Sequence, residues 1–319
     1  MKLTSKEFSK EIPLLNAMPG TKVALSKTAI ALLLLLVFAS SGVAQSKAMK
    51  WDLKADQQFD VVLIQTSKSE TKVDSRETRV ENLTNLQMAW KVLKVNATGE
   101  ATIEQSITGI KLEVSNPAIP AQAVKFDTSA TDEEVKKFSK PSRTLLKQVK
   151  PLVGLKFNVT MAATGEIKEV VLPDATSTVI NEMPGAVRLR ALFSAEGIKG
   201  LMGSAAIILP EKEMQKGDSW SDEKELDTPF GKITRKRNFT LSGEKTEDGI
   251  ELAEFKVEPE MVKVEDLTMS GSGTLFFDIA GGFFKSSTIE NELKTNRLYR
   301  EKNIETVVTN KVQMTIKKK

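Results

Sequence analysis

The sequence predicts an α+β protein, mainly antiparallel β, made of two related β-meander halves that can share one long curved sheet covered on one face by helices. Three observations predict this. Most segments after residue 50 alternate apolar and polar residues with the period of a half-buried strand, as in I-E-T-V-V-T and V-Q-M-T-I between Ile304 and Ile316. Helical signals are confined to residues 131–150 and 174–209. A motif also recurs: in WDLKADQQF (51–59) and LPEKEMQKGDSW (209–220), Leu53, Lys54, Asp56 and Phe59 lie against Met214, Gln215, Gly217 and Trp220.

Near the start of the sequence an unbroken run of small and apolar residues extends from Thr28 to Phe38, preceded by Lys22 and Lys27 and followed by ASSGVA. Gly42 and Ala44 suit the −3 and −1 positions of a cleavage site, so residues 1–44 read as a secretory signal peptide. The run is short of the roughly 20 residues a membrane span needs. After its removal no stable membrane span is expected, and the mature protein is expected in the periplasm, at the cell surface or outside the cell. Residues 45–208 then form a first β half with a helical insertion and a helical connector, and residues 209–319 a second β half.

Within the first half, strands are expected over 57–65 and 101–114 and a long extended segment over 73–95, as one bent strand or two, with Gly99 at a hairpin that requires a positive φ. Thr131 begins TDEE, a capping box, and Val135, Phe138, Leu145, Leu146 and Val149 follow at helical spacing. Pro141 should break or kink that helix. A second hairpin is expected at Gly165, then a short helix capped by Asp174 and another through Leu189, Leu192 and Phe193. GIKGLMGSAAIILP, with Gly197, Gly200 and Gly203 at every third place, reads as an apolar connector or lid.

The second half is expected to be strands over 232–241, 250–257, 268–279, 283–293 and 304–316, with hairpin glycines Gly249 and Gly282 matching Gly99 and Gly165. The spacing between the paired glycines is 66 residues in the first copy and 33 in the second, which places an insertion near residues 116–154.

Composition excludes much chemistry. The chain has no histidine and no cysteine. Histidine-based acid–base catalysis and triads, and zinc or haem ligation through His or Cys, are therefore ruled out, and no disulfide supports the fold. Setting aside the leader's five lysines and two glutamates leaves 41 basic against 40 acidic residues. A nearly neutral mature chain gives no reason to expect a nucleic-acid partner.

The local motifs add little chemistry. Ser242-Gly-Glu-Lys245 has serine/lysine spacing but sits at a hairpin without the helix such a nucleophile needs. Ser270-Gly-Ser-Gly273 lacks the context of a nucleotide site and reads as a bulge or close backbone approach. The acidic runs 132–134, 222–227, 244–248 and 258–266 lack EF-hand spacing and read as solvated turns. No metal or cofactor is expected. N-x-T triplets at Asn82, Asn96, Asn158 and Asn238 would be glycan acceptors only in a eukaryotic secretory pathway.

Four features in order along the chain carry a family resemblance: the W-x-L-K-x-G-x-x-F opening, here with Asp56 in place of glycine; the strand AWKVLKV; the hairpin TGEATI; and Leu209-Pro210 followed by Gly217-Asp218-Ser219-Trp220. The chain resembles an uncharacterised domain-of-unknown-function family of exported bacterial β-rich proteins, which brings no catalytic residues to carry over.

The function expected from these readings is a non-catalytic binding or carrier protein for a lipid or other apolar ligand held between sheet and helices. Phe138, Leu189, Phe193, Leu201, Met202 and Ile208 are the expected lining. The alternatives are a cell-envelope structural or protein-interaction module, with an envelope protein as partner, and, ranked last, a hydrolase using carboxylates alone.

Overall fold

The computed structural model describes residues 48–319 apart from 121–122, 183–192, 206, 229–230, 262–265 and 300–301. The proposed signal peptide and Leu189 lie outside the described residues. Residues 45–319 form one compact unit. In chain order the elements are β1 (Gln58–Val73), β2 (Arg76–Val95), β3 (Ala101–Ser115), β4 (Val124–Asp127), α1 (Asp132–Lys137), α2 (Lys140–Val149), β5 (Lys156–Met161), β6 (Ile167–Val171), α3 (Asp174–Asn181) and α4 (Ala195–Ala205). They are followed by β7 (Ser219–Thr228), β8 (Gly231–Glu247), β9 (Ile250–Met261), β10 (Leu267–Asp278), β11 (Phe283–Tyr299) and β12 (Lys302–Lys318).

All described strands belong to a single antiparallel sheet, in the order β6-β5-β3-β2-β1-β12-β11-β10-β9-β8-β7, with β4 paired to β3 off that path. Strands make up 60% of the described residues and helices 15%, so this is a β protein with helical additions rather than an even mixture. The order β6-β5-β3-β2-β1 recurs beyond β12 as β11-β10-β9-β8-β7, which leaves β12 as the odd strand that joins the two series.

The turns that open the two series are bonded alike. Asp56 N–H donates to the Val92 carbonyl (2.9 Å) and Val92 N–H to Gln57 (2.9 Å); Gly217 donates to Leu241 (2.8 Å) and Leu241 to Asp218 (3.0 Å). In both turns a side-chain oxygen caps the loop, Gln57 accepting from Lys54 N–H at 2.9 Å and Asp218 from Gln215 N–H at 3.1 Å. Asp56 (φ 66) and Gly217 (φ 95) share the left-handed conformation, which glycine adopts without strain and aspartate tolerates.

Several elements differ from expectation for local reasons. β1 runs on from Gln65 to Val73 through TSKSET, a stretch without apolar residues that is extended because β2 and β12 pair with it along its whole length. The extended segment expected over 73–95 is a single strand that begins at Arg76, after a hairpin at Asp74 and Ser75 where Asp74 (φ 53) supplies the positive φ in place of glycine.

The helix from Thr131 ends at Lys137, and a second starts at Ser139, whose hydroxyl accepts from Ser142 N–H at 3.3 Å. Pro141 therefore sits in a first turn, where its missing N–H costs nothing. α3 has Pro173 as its N-cap, with Asp174 in the first turn instead. The glycine-spaced segment forms the helix α4, which packs on β6, β11 and β12.

Candidate functional site

The inner face of the sheet carries Phe59, Val61 and Leu63 of β1, and the register extends it across every neighbour. At the base of the molecule this face encloses the core. Trp51 N–H donates to Ala163 in the β5–β6 turn and Asp52 N–H to Gly282 in the β10–β11 turn, each at 2.8 Å, so the N-terminal segment ties the two series together. Leu209 N–H reaches Thr164 (2.8 Å), and the Trp220 indole N–H donates to the Ile208 carbonyl (2.9 Å). Beneath this clasp Phe284 packs against Trp51 and Phe277, with centroids 5.6 and 5.1 Å away.

The base is tightly filled. A cavity of only about 20 Å³, walled by residues including Trp51, Met88, Trp90, Met161, Met202 and Met314, is too small for an apolar ligand. Among the described residues, the Trp51 and Trp90 indole nitrogens and both amide atoms of the fully buried Gln105 have no hydrogen-bond partner in this interior. Long methionine side chains account for the filling, because they adapt to irregular gaps.

The described members of the expected lining do not converge on a cavity. Phe193 and Met202 are buried in the core, and Met202 reaches the small void. Phe138 is half-buried at the end of α1, where its carbonyl accepts from Arg143 at 2.6 Å. Ile208 is 40% exposed. Leu201 lies in α4, but its side chain, like all of Leu189, is outside the described residues.

Further along the strands the inner face changes character twice. A polar band, Asn82, Ser67, Asn310 and Asn291 on adjacent strands, crosses the sheet, and the Asn310 amide donates to Asn291 at 3.3 Å. Beyond it, Val80, Ser69, Val308, Leu293 and Met269 lie side by side in register. The four apolar members of this row are not part of the core cluster; Val80 is 36% exposed and the others are half-buried. Packing of the base therefore does not explain them.

The same face carries a charged cluster at the β7 and β8 positions. In register, Lys224 faces Arg235, Asp222 faces Arg237 and Trp220 faces Phe239. Buried Arg237 donates from Nε to Asp222 at 2.9 Å and lies 5.2 Å over the Phe239 ring. Burial, then repulsion by Arg237, pushes Arg235 down to about 10. Burial, followed by repulsion from Arg235, Arg237 and Lys199, also lowers Lys224. The sequence contained a signal for this cluster: Arg235, Arg237, Phe239 and Leu241 alternate as one face, so two arginines continue an apolar stripe.

On the opposite face the coiled sheet forms an open polar concavity of about 680 Å³, lined from Glu113 and Ser115 of β3 to Ser270 and Ser272 of β10. Its charges are largely paired, as in Lys311–Glu290 (2.7 Å) and Lys125–Glu113 (3.0 Å).

Ser242 donates to the Glu254 carbonyl at 3.0 Å, and Lys245 lies 3.8 Å over the Phe276 ring, so neither addresses the other. At Gly271 and Gly273 an added Cβ would stand 2.4 and 2.6 Å from the carbonyls of Glu290 and Thr288, the close approach expected of that segment. Among the described residues no cluster of carboxylates is placed to hold a metal ion, and no helix is long and apolar enough to cross a membrane.

Comparison with curated proteins finds no match. Among solved structures, the chain is similar to lipovitellin, in a study of its lipid–protein interactions, at 13% identity and TM-score 0.45, over 83% of this chain and 25% of that one. It thus spans about a quarter of lipovitellin's length. An outer membrane channel from Pseudomonas putida F1 matches at 6% identity and TM-score 0.22, over 84% of this chain and 97% of the channel. A DUF1329 family protein from Desulfovibrio piger matches at 9% identity and TM-score 0.11, over 80% and 84%. A family pattern matches residues 98–279, more than half of the chain, and the protein belongs to that family, a family of unknown function (DUF6263).

Proposed function

We propose that the chain is an exported, non-catalytic carrier or binding protein that holds an apolar chain on the outer part of its inner sheet face. The observation that carries this reading is the row Val80, Val308, Leu293 and Met269, apolar, half-open and cut off from the core by a band of asparagines. An apolar row that the core does not use is a surface available to a ligand. The ligand position moves outward from the one expected on sequence, because the base is already filled by the protein's own methionines and tryptophans.

The test is native mass spectrometry of the mature chain purified from the cell envelope, with denaturing extraction and lipid analysis. A stoichiometric apolar adduct, lost on denaturation and absent from Leu293→Asp, supports the carrier reading. A clean mass after incubation with envelope lipids overturns it. The second reading, an envelope interaction module, is favoured by the filled base and by the polar concavity of about 680 Å³ on the opposite face, and a clean mass would direct the search to a protein partner there.

A further inference from the structure

Three cations share the inner face at one side of the sheet, and among the described residues Asp222 is the carboxylate that faces them. Asp222 is committed to Arg237 through a two-point pair, in which the Arg237 Nε bond is 2.9 Å. Lys224 and Arg235 stand directly opposite each other on β7 and β8, a like-charge arrangement that destabilises an antiparallel pair. Among the described residues, Arg235 Nε is buried without a hydrogen-bond partner. Helix α4 passes close by: a Cβ placed on Gly203 would lie 3.6 Å from the Lys224 ammonium, and Lys199 repels Lys224 while donating to the Lys168 carbonyl at 3.0 Å. Two facing cations, half-buried beneath a helix with a third close by, form an arrangement that an oxyanion would relieve, and a guanidinium matches carboxylate or phosphate geometry with two parallel donors.

The cluster also stands at the end of the apolar row. Met261 pairs with Arg235, Pro259 of the same strand abuts Gly271 of β10, and from there Met269 pairs with Leu293 and Leu293 with Val308. At about 4.8 Å per strand, β8 to β12 spans about 19 Å, the scale of a long acyl chain.

We infer that Lys224 and Arg235 form the head-group site of an anionic amphiphile, binding its carboxylate or phosphate oxygens while its chain lies across Met261, Met269, Leu293 and Val308. Arg237, held by Asp222 over Phe239, positions the neighbouring strand and adds to the local positive field. This inference rests on the carrier reading and adds the ligand's charge to it.

The experiment compares three probes by titration calorimetry on the mature chain: oleate, dodecyl phosphate, and monoolein, an uncharged lipid with the oleoyl chain. The wild type is expected to bind oleate at least tenfold more tightly than monoolein. The Lys224→Met/Arg235→Met variant is expected to lose that preference while retaining monoolein. Arg235→Lys, which keeps the charge but not the paired donors, should fall between them. The double variant should also melt higher than the wild type without ligand, because two facing charges are gone; this shows that lost binding is not lost folding. A further titration of laurate, the carboxylate with the same twelve-carbon chain as dodecyl phosphate, identifies the preferred oxyanion. Equal binding of oleate and monoolein by the wild type overturns the head-group site and leaves the carrier reading intact. Binding of none of the three overturns both.

Discussion

Replacing Gly165 by alanine tests the clasp that closes the base of the sheet. Its φ is +90°, and the Cβ that alanine adds would stand 2.5 Å from the Trp51 indole nitrogen and 2.9 Å from the Ile207 carbonyl. Gly154 provides the control, because its φ is +89° and nothing lies within 4 Å of its Cβ position. Both substitutions incur the left-handed backbone cost of about 1–2 kcal/mol. Only Gly165→Ala adds the displacement of a buried ring and a backbone carbonyl, about 1–3 kcal/mol by the usual cost of overpacking. Gly154→Ala should therefore lose about 1–2 kcal/mol and Gly165→Ala about 2–5. The difference corresponds to roughly 2–12 °C in melting temperature at about 2–4 °C per kcal/mol. Urea denaturation followed by tryptophan fluorescence measures it, and Trp51 reports directly on the altered contact. Equal destabilisation by the two variants would refute the packing argument, leaving backbone strain as the whole effect.

Two further expectations concern single side chains. Asp56→Gly should stabilise the protein by about 0.5 kcal/mol, since relief of left-handed strain outweighs the added freedom of the unfolded chain; the exposed Lys91–Asp56 pair at 3.7 Å contributes little, and a destabilised variant in calorimetry would count against this. Glu113 is held below its usual 4.5 by hydrogen bonding to Lys125 first, with Lys111 adding to it. Because its folded value is depressed, its stabilisation is full above 4.5 and is lost as pH falls through the lower folded value. Glu113→Gln should consequently melt below wild type at pH 6, with the gap closing under pH 4.5, and a gap unchanged at pH 3 would exclude the ion pairs as its source.

How much was legible in the sequence follows from what each segment buries. Phe59, Val61 and Leu63 alternate because one face of β1 meets the core, and that stretch reads as a strand at once. From Gln65 to Val73 every side chain is intermediate or exposed in burial, so no hydrophobic period exists to be read, and neighbouring strands impose the extended form. The Asp74 turn was hidden by the absence of glycine, whereas the Gly99, Gly165, Gly249 and Gly282 turns were visible for the opposite reason. Helix α4 lies within the 174–209 stretch expected to be helical, and its three glycines, which helical propensity disfavours, are held there by packing on the sheet.

The candidate site was harder still. Its apolar members, Val80, Met261, Met269, Leu293 and Val308, come from five strands, and only the register shows that they share a face. Lys224 and Arg235 read as ordinary surface charges until the alternation with Phe239 and Leu241 assigns them to the inner face.

The placement of β12 has a consequence for biosynthesis. The middle of the sheet is formed by the first and the twelfth of the described strands, with Phe59 paired to Lys318 and Val73 to Ile304. Before the 17-residue strand β12 is made and docked, β1 and β11 each expose an edge that, among the described strands, β12 alone closes. Open edges of this length recruit other chains. Pairing across most of the sequence is also slow, because loop closure must precede the contacts that reward it. A nascent or truncated chain lacking β12 is thus two incomplete sheets with complementary sticky edges. Copies caught in that state would join through those edges, so the docking of β12 is what confines the pairing to one molecule.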